Sequence, residues 1–92
     1  MAERRYIILV APSAKRALAS LPIPVQRRLG RVIDALATEP RPRGSKLLTG
    51  KLVDRVWRIR AGDYRILYDI RDEELVVLVV RLGRRREVYR RR

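Results

Sequence analysis

The sequence predicts an α+β fold in which an αα-hairpin packs on one face of a mostly antiparallel four-stranded sheet, in the order β-α-α-β-β-β. Three observations carry this. A short apolar run near the start is closed by a proline. Two stretches with apolar residues three or four apart follow, separated by Pro22-Ile23-Pro24. The second half holds three β-rich runs divided by turn-length segments. At 92 residues there is room for one modest core, so residues 1–92 are expected to form a single domain.

Tyr6 to Val10 reads as a first strand ended by Pro12. From Ser13, Ala14, Ala17, Leu18 and Leu21 fall on one side of a helix, with Lys15 and Arg16 off it, and Pro22 stops it. In the second helix Val25, Leu29, Val32, Ile33 and Leu36 form the apolar stripe while Gln26, Arg27, Arg28 and Arg31 turn outward. Pro24 suits its first turn, and Pro40 lies beyond its end. Residues 39–51, rich in Pro, Gly and Arg, read as a connecting loop. Strands follow at Arg55–Arg60, Tyr64–Ile70 and Leu75–Leu82, with spacers that suit hairpin turns. The last strand is apolar on both faces and belongs in the sheet interior.

The composition removes many chemistries. The chain has neither cysteine nor histidine, which excludes thiol nucleophiles, zinc fingers, His-based acid/base catalysis and Ser-His-Asp triads. No metal and no cofactor is expected, and any enzyme must use Arg, Lys, Tyr and carboxylates. The longest apolar run, Leu75 to Val80, is far short of the roughly 20 residues that cross a bilayer, and Ile7 to Val10 is too short for a signal-peptide core. No membrane association and a cytoplasmic location are therefore expected. With 23 Lys+Arg against 10 Asp+Glu, the net charge of +13 favours a polyanionic partner: RNA, DNA or an acidic protein.

Strand alternation places some of that charge. Val56, Arg58 and Arg60 share one face of their strand, opposite Trp57 and Ile59. In the next strand Tyr64, Ile66, Tyr68 and Ile70 should meet the helices, leaving Arg65, Leu67 and Asp69 outward. In the last, strict alternation sets Val77, Val79 and Arg81 against Val76, Leu78, Val80 and Leu82. Neighbouring strands can thus gather Arg58, Arg60, Arg65 and Arg81 on one polar face. Such a face is either a solvated basic surface or a phosphate site. Stacked arginines with only Asp63 and Asp69 nearby repel one another unless a polyanion offsets them, which favours the second. Trp57 reads as core. In the tail, Val88 and Tyr89 either pack the chain end or present a phenol among guanidinium groups for base stacking or proton exchange.

The blocks Lys46-Leu-Leu-Thr-Gly50, Val56-Trp-Arg-Ile-Arg-Ala-Gly-Asp-Tyr-Arg-Ile-Leu-Tyr68 and Arg81-Leu-Gly-Arg-Arg-Arg-Glu-Val-Tyr89 resemble the RelE/ParE superfamily of toxin–antitoxin systems. The R-x-R-x-G-D-Y-R-x-x-Y pattern of the middle block is the most specific, and the likeness spans essentially the whole chain. It implies a RelE-like fold and a small toxin, monomeric when free, held by an acidic RelB-like antitoxin. RelE-like members cut mRNA in the ribosomal A site; ParE-like members inhibit DNA gyrase without nuclease activity. The RelE-like reading implies catalytic roles for Arg58, Arg60, Arg65, Arg85 and Tyr89, with RNA contacts from Lys46, Lys51, Arg81, Arg84 and Arg86. Two departures matter. Arg84 stands where many members have histidine, and Arg58 and Arg60 stand where some have lysine. Arginine does not give up its proton, so a base role does not transfer to those positions. That leaves Tyr89 as the expected base.

Overall fold

The computed structural model describes residues 5–48 and 55–84, and the elements run β1 (Ile7–Val10), α1 (Pro12–Ala19), α2 (Ile23–Ala35), β2 (Lys46–Leu48), β3 (Val56–Ala61), β4 (Tyr64–Arg71) and β5 (Val76–Arg84). The α+β class and the helix pair are as expected. Both helices have a proline in the first turn, where its missing N–H costs nothing. Their corner is tied by Gln26, whose Nε2 donates to the carbonyls of Leu21 (2.8 Å) and Ala19 (3.2 Å).

The sheet has five strands rather than four, in the order β1-β5-β4-β3-β2. The added strand, β2, lies within the expected 39–51 loop and pairs antiparallel with β3. Three residues are too few for a period-2 pattern, so Lys46–Leu48 carries no strand signature of its own. β5 sits in the interior, parallel to β1 and antiparallel to β4, so one parallel pairing joins three antiparallel ones.

One face of the sheet carries Trp57, Ile59, Ile66, Tyr68, Val77 and Val79 against Leu29 and Ile33 of α2 and Ala14 of α1. Ile66, Tyr68, Val77 and Val79 are fully buried there. Trp57 is half-buried against this core, as expected.

Beyond Val79 the expected alternation of β5 fails. Tyr68 pairs with Val79 but Leu67 pairs with Arg81, so Val80 is an extra residue, a β-bulge. The bulge resets the phase. Leu82, opposite Ile66, turns into the core at 5% exposure, and Arg81 moves to the face away from Val77 and Val79. Strict alternation would have put a guanidinium in the core and a leucine in water.

The connection from α2 to β2 is held at several points. The Tyr68 hydroxyl donates to the Pro40 carbonyl (2.8 Å), and the Tyr6 amide donates to the Ala37 carbonyl (2.7 Å). Arg41 forks onto Asp72 (2.8 and 3.3 Å) while lying over the Trp57 ring, 5.3 Å from its centroid. The Tyr6 hydroxyl donates to the same Asp72 carboxylate (2.7 Å).

Candidate functional site

The β3–β4 turn aligns the site. Gly62 is its first loop residue at φ 65°, a conformation that suits a two-residue hairpin loop and that glycine adopts without strain. The Arg28 guanidinium of α2 lies against it, so that a Cβ at position 62 would stand 2.5 Å from Arg28 Nη1. The backbone conformation is what favours glycine, since the Arg28 side chain could swing aside. The turn brings Arg60 opposite Arg65 and Arg58 opposite Leu67.

Continuing across the ladders gives two ranks on the outer face, the face turned away from the helices. One runs Arg60, Arg65, Gly83; the other runs Lys46, Arg58, Leu67, Arg81. Opposite positions in such ladders stand about 5 Å apart at Cβ. Four guanidinium groups and one ammonium therefore share a patch two ranks deep. Gly83 stands opposite Arg65, with no heavy atom of the described residues within 4 Å of where its Cβ would be. Leu67, only 5% exposed although on the outer face, lies between Arg58 and Arg81 in the ladder. Arg58 Nε is buried without a hydrogen-bond partner.

Among the described residues, two carboxylates pair outside these ranks. Asp69 pairs with Arg71 (2.7 Å), Asp72 pairs with Arg41, and Asp63 occupies the β3–β4 turn. Two like charges about 6 Å apart repel by roughly 1–3 kcal/mol at surface dielectrics.

Five of the expected site residues, Lys46, Arg58, Arg60, Arg65 and Arg81, share this face. Arg84 does not. It pairs opposite Tyr64, with its guanidinium 5.8 Å from that ring's centroid, and lines a groove of about 400 Å³ with Ser13, Ala17, Ser20 and Leu21. Lys51, Arg85, Arg86 and Tyr89 lie outside the described residues. Burial pushes the Tyr68 phenol up to about 12, so Tyr68 holds its proton at neutral pH. Sequence reasoning missed the placing of Gly83 opposite Arg65, the contact of Arg28 with the turn, and the Arg41–Asp72 clamp. A glycine placed opposite an arginine on the neighbouring strand was the one available signal, and it needed the register to be seen.

The family model described as the ParE toxin of type II toxin–antitoxin systems, parDE, matches residues 8–89. The chain belongs to this toxin family. Among solved structures it is similar to the toxin–antitoxin complex RelBE2 of Mycobacterium tuberculosis, with 30% identity, a TM-score of 0.78, and coverage of 88% of this chain and 92% of that one. It is equally similar in sequence, at 30%, to the archaeal RelE–RelB complex of Pyrococcus horikoshii, with a TM-score of 0.77 and coverage of 89% and 97%. The isolated RelE toxin of E. coli matches at 26% identity and a TM-score of 0.72, covering 91% and 90%. No curated protein matches the chain by sequence. The protein is thus a type II toxin of the RelE/ParE superfamily, closer in structure to RelE. In this toxin the cationic ranks sit on the exposed side of the sheet, opposite the helix layer, where a ligand reaches them without opening the core.

Proposed function

We propose that this toxin is a ribosome-dependent endoribonuclease that cuts mRNA in the A site and so inhibits translation. The observation that carries the reading is the double rank of Arg58, Arg60, Arg65 and Arg81 around the open position at Gly83, where a scissile phosphate fits between guanidinium forks. Cleavage by the RNA's own 2′-hydroxyl needs that oxygen deprotonated, the phosphorane charge neutralised and the 5′-oxygen protonated as it leaves. Arg58, Arg60 and Arg65 suit the second task. They cannot take a proton, and Tyr68 is buried and protonated, so the reading assigns the base to Tyr89 and leaving-group assistance to Arg85. Lys46, Lys51, Arg81 and Arg86 are assigned to RNA contact, and Arg84, held beside Tyr64 on the other side of the sheet, is withdrawn from that set. In this reading the toxin is a cytoplasmic monomer of one domain, needs no metal or cofactor, and is neutralised by an acidic RelB-like antitoxin complementary to its charge. Tyr89→Phe should lower single-turnover cleavage on programmed ribosomes by at least about 100-fold with ribosome binding retained; cleavage near the wild-type rate would remove Tyr89 from the mechanism.

A second reading, gyrase inhibition without nuclease activity, is favoured by the ParE description of the matching family model. Primer extension after cell-free translation, run beside a supercoiling assay, separates the two. Codon-phased cuts support the nuclease, and intact mRNA with blocked supercoiling supports the inhibitor.

A further inference from the structure

The connection between α2 and β2 carries two exposed arginines that are held in different ways. Arg41 is tied down on two sides, forked onto Asp72 and laid over the Trp57 ring. Arg43, two residues on, is exposed and takes part in neither of the ion pairs formed among the described residues. It occupies the second position of a closed turn, Pro42-Arg43-Gly44-Ser45. The Ser45 amide donates to the Pro42 carbonyl at 3.0 Å, and the Ser45 hydroxyl donates to the same oxygen at 2.7 Å. Gly44, at φ 96°, takes the third position, where a type II turn needs a positive φ.

Turn chemistry accounts for the glycine and the serine but not for the arginine. The second position of a type II turn favours proline, and no charge is asked of it. The frame around it is fixed at both ends. Before the turn Tyr68 donates to Pro40 and Arg41 holds Asp72; after it, Lys46–Leu48 pair with β3. An anion bound by Arg43 therefore meets a backbone that is already ordered, and little chain entropy opposes the contact.

The turn also adjoins the cationic ranks. β2 is an edge strand, and its first residue, Lys46, pairs with Arg58 at the end of the rank Lys46, Arg58, Leu67, Arg81. Because β2 runs antiparallel to β3, the chain enters it from the side on which Arg60 lies. Neighbouring strands are about 4.8 Å apart, so the rank covers roughly 14 Å from β5 to β2, and there the sheet ends. A polynucleotide with one phosphate between the ranks carries its next phosphates past that edge. The first cation before Lys46 in the chain is Arg43.

We propose that Arg43 is a further RNA-binding residue, which holds the phosphate backbone of the strand where it leaves the sheet over β2. The inference rests on the nuclease reading and deepens it. Arginine suits the position, since its planar fork meets two phosphate oxygens at once.

The test compares Arg43→Gln with Arg71→Gln, which removes the same charge at the far end of β4. Binding of each toxin to a short single-stranded RNA is measured against salt. Loss of one phosphate contact in Arg43→Gln should reduce the slope of log K against log salt by about 0.7 and weaken binding roughly 3- to 10-fold at 0.1 M salt, with Arg71→Gln unchanged. Arg43→Lys, which keeps the charge, should restore the slope. On programmed ribosomes the concentration of Arg43→Gln toxin that gives half-maximal cleavage should rise by a similar factor, with the rate at saturation kept. An unchanged slope in Arg43→Gln overturns the proposal. So does an equal fall in Arg71→Gln, which would reduce the effect to net charge, or a loss of antitoxin affinity with RNA binding intact, which would make the turn a protein contact. Should the wild-type toxin cut no mRNA while the slope still falls in Arg43→Gln, the nuclease reading fails and the RNA contact stands; cleavage by wild type with an unchanged slope removes Arg43 alone.

Discussion

At the β4–β5 end of the sheet the cations Arg41 and Arg71 meet carboxylates, on Asp72 and Asp69, and Asp72 also accepts the Tyr6 hydroxyl. At the β3–β4 end Arg60 faces Arg65 across the ladder. The same residue type serves two purposes in one sheet. Where arginine has a carboxylate and an aromatic ring beneath it, as Arg41 has Asp72 and Trp57, it ties a loop to the body. Where arginines stand together on neighbouring strands, they form a cationic patch.

The contrast is broken most sharply by Arg60→Gln with Arg65→Gln. RNA cleavage should fall about 100- to 1,000-fold in a single-turnover assay, while the melting temperature stays constant or rises as repulsion is relieved. A drop in melting temperature matching the loss of activity would mean that these residues stabilise the fold instead.

The paired end predicts effects on stability. Tyr68 holds its proton in the folded state up to about pH 12 and releases it near 10 when unfolded. Between those values the folded state binds more protons than the unfolded state, so stability is full below pH 10 and is lost as pH rises toward 12, by roughly 2–3 kcal/mol. Urea unfolding of wild type and Tyr68→Phe across that range should show the steeper loss in wild type. Asp72→Asn removes the ion pair and weakens the contacts to Tyr6 and Arg41; it should cost about 1–2 kcal/mol by urea unfolding, with the half-exposed ion pair contributing the smaller share. The smallest effect belongs to Arg71→Gln. The hydrogen bond to Asp69, and then its charge, raises the pKa of Arg71, yet Arg71 is exposed, and losing the pair should leave the melting temperature unchanged within error.

Much of this organisation is legible in the chain. Period-2 alternation assigns Arg58, Arg60 and Arg65 to the outer face because the apolar residues Trp57, Ile59, Ile66 and Tyr68 take the alternate positions toward the core. β5 is different. Its run from Leu75 to Val80 is apolar at every position, so alternation carries no phase and the bulge leaves no mark in composition. β2 is too short to read, and the partners Arg41 and Asp72 are 31 residues apart, a pairing that only the tertiary fold creates. The family likeness was readable from the middle block, since a Gly-Asp turn between two arginine-bearing strands sets both register and charge. The position of Arg84 was not, because it depends on the phase set at Val80.

The bulge also divides β5 into two segments that answer to different neighbours. Up to Val79 the strand is registered on both sides, by β1 and by β4; beyond it, among the described residues, only β4 remains. Deleting Val80 would let Val79 and Arg81 become consecutive rungs of a regular ladder with every side chain on its present face, whereas losing Val77 would exchange the inner and outer faces of Leu78 and Val79 before the bulge absorbed the shift. Position 80 is therefore where this strand can change length without exchanging its inner and outer residues, and where the arginine-bearing end can be lengthened or trimmed independently of the buried centre.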